Sequence, residues 1–139
     1  MKPLHLLDTD ISSYIIKGRT PKLEGQLALV PPDRVCVSAV TRAELLYGLK
    51  RLATSHPIHV GVHQFLKIVR VIPWGGDAAE YYADILHQLT TQGKLIGEMD
   101  MMIAAHALSV GAVLVTNNIK HFERVDAPLV LENWMNTAG

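Results

Sequence analysis

One cysteine, Cys36, stands in a chain of 139 residues. A lone thiol excludes an internal disulfide and any multi-cysteine zinc site, and it suits a reducing compartment. Aromatic residues are scarce at 6%, too few for a broad base-stacking platform. No sign of charge is in excess: 13 Lys and Arg balance 13 Asp and Glu, so the formal net charge is zero. Overall attraction therefore cannot hold the chain on nucleic acid, and any such contact must come from local charge separation. Long apolar runs are missing too. Lys2 precedes only a short apolar stretch before Asp8 and Asp10, unlike a secretory signal. The richest run, residues 103–115, is broken by His106, Ser109 and Gly111, well short of the roughly 18 apolar residues of a spanning helix. These absences predict a cytoplasmic protein with no membrane association.

What is present is enough for a core. Hydrophobic residues make up 49%, sufficient for one domain over residues 1–139 without disulfides or a structural metal. Short apolar runs alternate with amphipathic segments. Strands are expected at residues 4–7, 34–38, 71–72, 112–115 and 129–131, and helices at 10–17, 41–53, 56–69, 77–92 and 98–110, with a further one opening at Thr20-Pro21. Leu45, Leu46, Leu49 and Leu52 share one helical face, and Ala78, Tyr82, Ile85, Leu86 and Leu89 another. Gly93 and Gly111 stand where helices should stop. Strands alternating with helices predict an α/β fold, a parallel sheet of about five strands flanked by helices. Sites in such sheets lie beyond the carboxyl ends of the strands.

Three acids occupy those places. Asp8 closes the first strand, Glu44 lies in the first turn after the second, and Asp100 opens the helix that feeds the fourth. Converging carboxylates repel one another unless a partner neutralises them. A hard dication with oxygen ligands, Mg²⁺ or Mn²⁺, is the natural partner, and it can lower the pKa of water and neutralise charge on a phosphodiester. A capping account stands beside this one. Thr41-Arg42-Ala43-Glu44 fits a capping box, Asp8 or Asp10 can cap the next helix, and Asp100 can favour its helix dipole. His56, His59 and His63 read as surface residues, His106 as a packed or surface histidine, and Met99, Met101 and Met102 as packing.

Leu6-Leu7-Asp8-Thr9-Asp10-Ile11, Ala43-Glu44-Leu45-Leu46-Tyr47-Gly48 and Asp100-Met101-Met102-Ile103-Ala104-Ala105-His106-Ala107-Leu108 together resemble the PIN-domain family. The match is nearest to VapC-type toxins of bacterial toxin–antitoxin pairs. Val115-Thr116-Asn117-Asn118, His121-Phe122 and Glu132-Asn133-Trp134 fit the same family, in order and over nearly the whole chain. The resemblance implies a PIN-like fold, a Mg²⁺- or Mn²⁺-dependent endoribonuclease acting on RNA such as tRNA, a cognate VapB-type antitoxin, and a homodimer. By position it makes Asp8, Glu44 and Asp100 the catalytic, metal-holding acids. Where many relatives carry a further acid this chain has Thr116-Asn117-Asn118, so Asn118 could offer only an amide oxygen.

Arg42, Lys50 and Arg51 are the first candidates for RNA contact, with Lys94, Lys120 and Arg124 available for the rest of a positive rim. An antitoxin segment carrying an arginine should reach the acids, with Tyr47, Leu46 and the Met99–Met102 cluster supplying burial. Two other functions remain open. Asp8-Thr9-Asp10-Ile11-Ser12 superficially matches the loop of a haloacid-dehalogenase-like phosphohydrolase, and a PIN-like module could bind RNA or protein without cutting.

Overall fold

The computed structural model describes residues 3–135. Five strands form one parallel sheet: β1 (His5–Leu7), β2 (Val35–Ser38), β3 (Arg70–Ile72), β4 (Val113–Val115) and β5 (Val130–Glu132). Their order is β3-β2-β1-β4-β5. The three central strands are buried throughout, whereas β3 and β5 at the edges are partly exposed. That is why the central runs are continuously apolar rather than alternating. The fold is the α/β architecture expected, with the sheet flanked by α1 (Thr9–Lys17), α2 (Pro21–Ala28), α3 (Ala39–Lys50), α4 (Ile58–Ile68), α5 (Gly76–Gln92), α6 (Glu98–Val110) and the short α7 (Ile119–Phe122).

The pleat divides the core. Leu6, Cys36 and Leu114 point to one face and meet Ile85 and Leu89 of α5 and Ile103 and Ala107 of α6. Leu7, Val37 and Val115, one residue along, point to the other and meet Ile11 of α1 and Leu23 of α2. A third cluster, Leu45 and Leu49 with Val62 and Leu66, seals α3 against α4. Burial pushes the Cys36 thiol up to about 12, so this cysteine is packing and not a nucleophile.

Register places the site. Leu7 pairs with Val37 on one side and Val115 on the other. The next residue on each strand is therefore level with its neighbours, and each is polar and buried: Asp8, Ser38 and Thr116. Asp8 also continues the ladder by donating its N–H to the Val115 carbonyl at 3.0 Å.

Several boundaries depart from the sequence expectation. Helix α3 begins at Ala39 with Ser38 as its N-cap, whose hydroxyl accepts from the Val40 N–H at 3.0 Å. The capping box on Thr41 and Glu44 therefore does not form; Thr41 is buried inside the helix. Helix α3 also stops at Lys50, which leaves Leu52 exposed and off the apolar face. Leu86 likewise stands outside the core. Thr20 precedes Pro21 at the N-cap of α2, but its side chain makes no capping bond. Helix α7 and a 3-10 turn at Pro32–Arg34 were not foreseen, because segments of four and three residues are too short to display a period.

Candidate active site

Asp8 is fixed from two directions. It caps α1, with Oδ1 accepting from the Ile11 N–H at 2.8 Å, and the Thr116 hydroxyl donates to its carboxylate. A capping role and a place at the sheet edge thus coincide in one residue. Burial is nearly complete at 4% exposure, and desolvation pushes its pKa up to about 6, against the lowering effect of those two hydrogen bonds. Asp10 and Asp100 add repulsion in the same direction.

Glu44 reaches the same region from α3. Its Oε1 accepts from the Thr9 hydroxyl at 2.6 Å. The Thr9 proton is committed there, so in the 3.0 Å contact between the two threonine hydroxyls it is Thr41 that donates to Thr9. A relay from Thr41 through Thr9 thus orients the Glu44 carboxylate. Its pKa is raised, by burial first and then by Asp100 and Asp10.

Asp100 comes from the first turn of α6, and its Oδ2 lies 3.2 Å from Nε2 of His121 on α7. Burial raises the Asp100 pKa, His121 opposes that rise, and Asp10 reinforces it. Asp100 thus acts electrostatically on both Asp8 and Glu44, and Asp10 acts on all three. The acids share one field rather than one closed ligand shell: among the described residues no three His, Cys, Asp or Glu side chains form a ready-made metal set. In donor chemistry the acids fit a hard dication, since every available atom is an oxygen and every carboxylate would gain from a neighbouring positive charge.

The remaining candidates scatter. Asn118 caps α7 without a side-chain bond, and its backbone N–H donates to Thr116 Oγ1 at 3.0 Å. Arg51 lines a groove of about 1040 Å³ that opens beside Glu44 and lies 5.3 Å from the centre of the Tyr47 ring. Arg42 instead borders a separate hollow with His59, His63 and Lys67, and Lys50 lines neither. Tyr47 and Met99 are exposed at the groove, Leu46 and Met102 are half-buried, and Met101 belongs to the core. Sequence reasoning gave Thr9 no role and left that of His121 open. Both reveal their partners only once distant segments meet.

His106 is buried as packing. Its Nδ1 lies 2.7 Å from the Ser38 hydroxyl, and a hydrogen bond to the Pro73 carbonyl uses the other ring nitrogen. Ser38 Oγ therefore donates to Nδ1 and accepts from Val40, tying α3 to α6.

Comparison with known proteins agrees with this fold. The PIN domain model matches residues 5–128. The chain is 38% identical to Ribonuclease VapC2 of Haemophilus influenzae over 131 residues, 94% of this chain and 98% of that one. It is 33% identical to the tRNA(fMet)-specific endonuclease VapC of Shigella flexneri, covering 93% of this chain and 96% of the relative. Among solved structures, VapBC2 from Rickettsia felis, bound to a DNA fragment from its promoter, superposes with a TM-score of 0.86. The identity is 32%, over 94% of this chain and 98% of that one. DNA-bound VapBC from Salmonella typhimurium gives 0.87 at 31% identity, over 96% and 99%. With its fold, its acidic strand-end motifs and nearly full-length relatives in accord, the chain belongs to the PIN-domain family, among the VapC ribonucleases of toxin–antitoxin systems.

Proposed function

We propose that residues 1–139 act as a single PIN domain, a Mg²⁺- or Mn²⁺-dependent endoribonuclease and the toxin of a toxin–antitoxin pair in the cytoplasm. One observation supports the reading: Asp8 and Glu44 both lie in the electrostatic field of Asp100, and the pKa of each of the three is raised. Carboxylates buried at that cost in desolvation, with neighbouring acids adding repulsion, would gain from a cation. These three residues would hold it, with Asn118 as a neutral fourth donor. When bound, the ion supplies positive charge for a phosphodiester and lowers the pKa of water. The chain's own part is orientation. Ile11 and Thr116 fix Asp8, Thr9 fixes Glu44, and His121 fixes Asp100.

Substrate and partner follow from the relatives. The name of the Shigella relative supports tRNA as the substrate class, and the VapBC complexes support a VapB-type antitoxin. An antitoxin arginine paired with Asp8, Glu44 or Asp100 would silence the site by replacing the cation's charge. The homodimer rests on the resemblance alone. A haloacid-dehalogenase-like reaction is less well supported, because among the described residues no lysine forms an ion pair with these acids. The test is purified protein given tRNA or a phosphomonoester, each with EDTA or Mn²⁺. Cutting of tRNA with Mn²⁺ alone is expected; phosphomonoester turnover without RNA cutting would overturn the reading.

A further inference from the structure

The cation site makes no direct use of His106, yet this ring is 1% exposed. An imidazole so far from water is unfavourable unless its nitrogens are bonded. Both are, and each bond leaves α6 for another element. Nδ1 accepts from the hydroxyl of Ser38, the N-cap of α3, and the other nitrogen donates to the Pro73 carbonyl just after β3. One turn earlier the Trp74 indole N–H donates to the Met102 carbonyl at 2.9 Å, so residues 73–74 hold α6 twice. Around the ring α6 buries Ala104, Ala105 and Ala107, whose low relief does little to stop a helix sliding or tilting on its neighbours. Gly97 at its N-cap adds no side-chain bond. Directional hydrogen bonds therefore fix what the alanine packing leaves soft.

Two of the acids stand at equal lever arms from this contact. Glu44 lies six residues beyond Ser38 along α3, and Asp100 six residues before His106 along α6, about 9 Å in each case. Asp100 acts electrostatically on Glu44, so the two lie on one side of the contact rather than far apart across it. A tilt of about 10° there would carry either carboxylate about 1.6 Å, and a misplacement of about 1 Å can lower a rate about a hundredfold.

We propose that His106 is a positioning residue for the nuclease site: through its bond to Ser38 it sets how α6 crosses α3, and with it the separation of Asp100 and Glu44. The proposal rests on the nuclease reading. It gives the two acids a shared support that acts through the backbone of their helices and touches neither carboxylate.

The test measures Mn²⁺ binding by electron paramagnetic resonance and RNA cutting by initial rates, on the whole protein below its melting temperature. His106→Leu fills nearly the same volume and removes both bonds, whereas His106→Asn puts Oδ1 where Nδ1 stands and keeps an acceptor for Ser38. In His106→Leu, Mn²⁺ affinity should fall about tenfold and kcat about tenfold or more, with KM for RNA within about twofold of the wild type. His106→Asn should recover most of both losses. Ser38→Ala should reproduce them, and combining it with His106→Leu should lose little more than either change alone, because one contact is then removed twice. Wild-type Mn²⁺ affinity and kcat in folded His106→Leu would overturn the proposal; if that variant does not fold, the same result in Ser38→Ala would overturn it. Losses in His106→Asn as large as in His106→Leu would overturn it too, since they would mark a need for the ring and not for the bond to Ser38. A wild type that neither binds Mn²⁺ nor cuts RNA would remove the nuclease reading, and the proposal with it.

Discussion

Asp8 serves two ends that conflict. As a cap it stabilises α1, and as a buried carboxylate its charge opposes folding. Its pKa in the folded chain is about 6, against an ordinary value of 3.8. Between those values the native state holds a proton that the unfolded chain has lost, so stability falls as pH rises from about 4 to about 6. Above that window the full penalty, about 3 kcal/mol, is present. Asn at this position still accepts from Ile11 but carries no charge. In EDTA near pH 7.5, Asp8→Asn should therefore melt several degrees above the wild type, and the two curves should meet near pH 4. Thermal scans across that range check it; a less stable variant at high pH would contradict it. Asp8 and Asp100 stood out in the sequence because one ends an apolar run and the other lies in the first turn of a helix; Glu44 was read into the first turn of α3 but lies in its second. Thr9 did not stand out, since its partner Glu44 lies 35 residues away in sequence.

Among the elements, α3 shows how a local pattern can be overruled. Thr-x-x-Glu is a sound start signal, yet Ser38 caps the helix three residues earlier. The reason is tertiary: the Ser38 hydroxyl is buried and has His106 Nδ1 to satisfy as well as the Val40 N–H. Ser38→Ala removes both bonds and strands a buried ring nitrogen. It should cost about 1–3 kcal/mol, seen as a lower urea midpoint with an unchanged slope. An unmoved midpoint would show that the Ser38–His106 contact contributes nothing to folding. Helices α5 and α6 were read nearly to the residue. Gly93 and Gly111 end them with positive φ of 63° and 64°, a conformation that glycine adopts without steric cost. Their terminators are chemical and local, so the sequence alone displays them.

At the scale of the molecule, neutrality conceals separation. Acids occupy the centre of the site, while Lys17 and Arg51 line the groove on one side. Lys94, Lys120 and Arg124 border a hollow of about 430 Å³ together with Glu123 and Asp126. Arg42 faces a different hollow of about 530 Å³. RNA affinity should therefore fall with salt despite zero net charge. Lys17→Ala and Arg51→Ala should each reduce the slope of log affinity against log salt by about one, and Arg42→Ala should change it little. Equal effects from all three would place the RNA path elsewhere. The fold class was readable from the alternation of strands and helices. Which cations share a surface was not, because that depends on how α1, α3 and α4 turn against one another.

The central claim is that Asp8, Glu44 and Asp100 cut RNA by holding a divalent cation. It is tested most directly by cleavage rate against Mg²⁺ concentration for wild-type protein and for folded Asp8→Asn, both first stripped with EDTA. Wild-type cutting should be absent without the ion, return saturably as it is added, and remain undetectable in Asp8→Asn at every concentration. Cutting that survives EDTA, or a folded Asp8→Asn that cuts as the wild type does, would contradict the account.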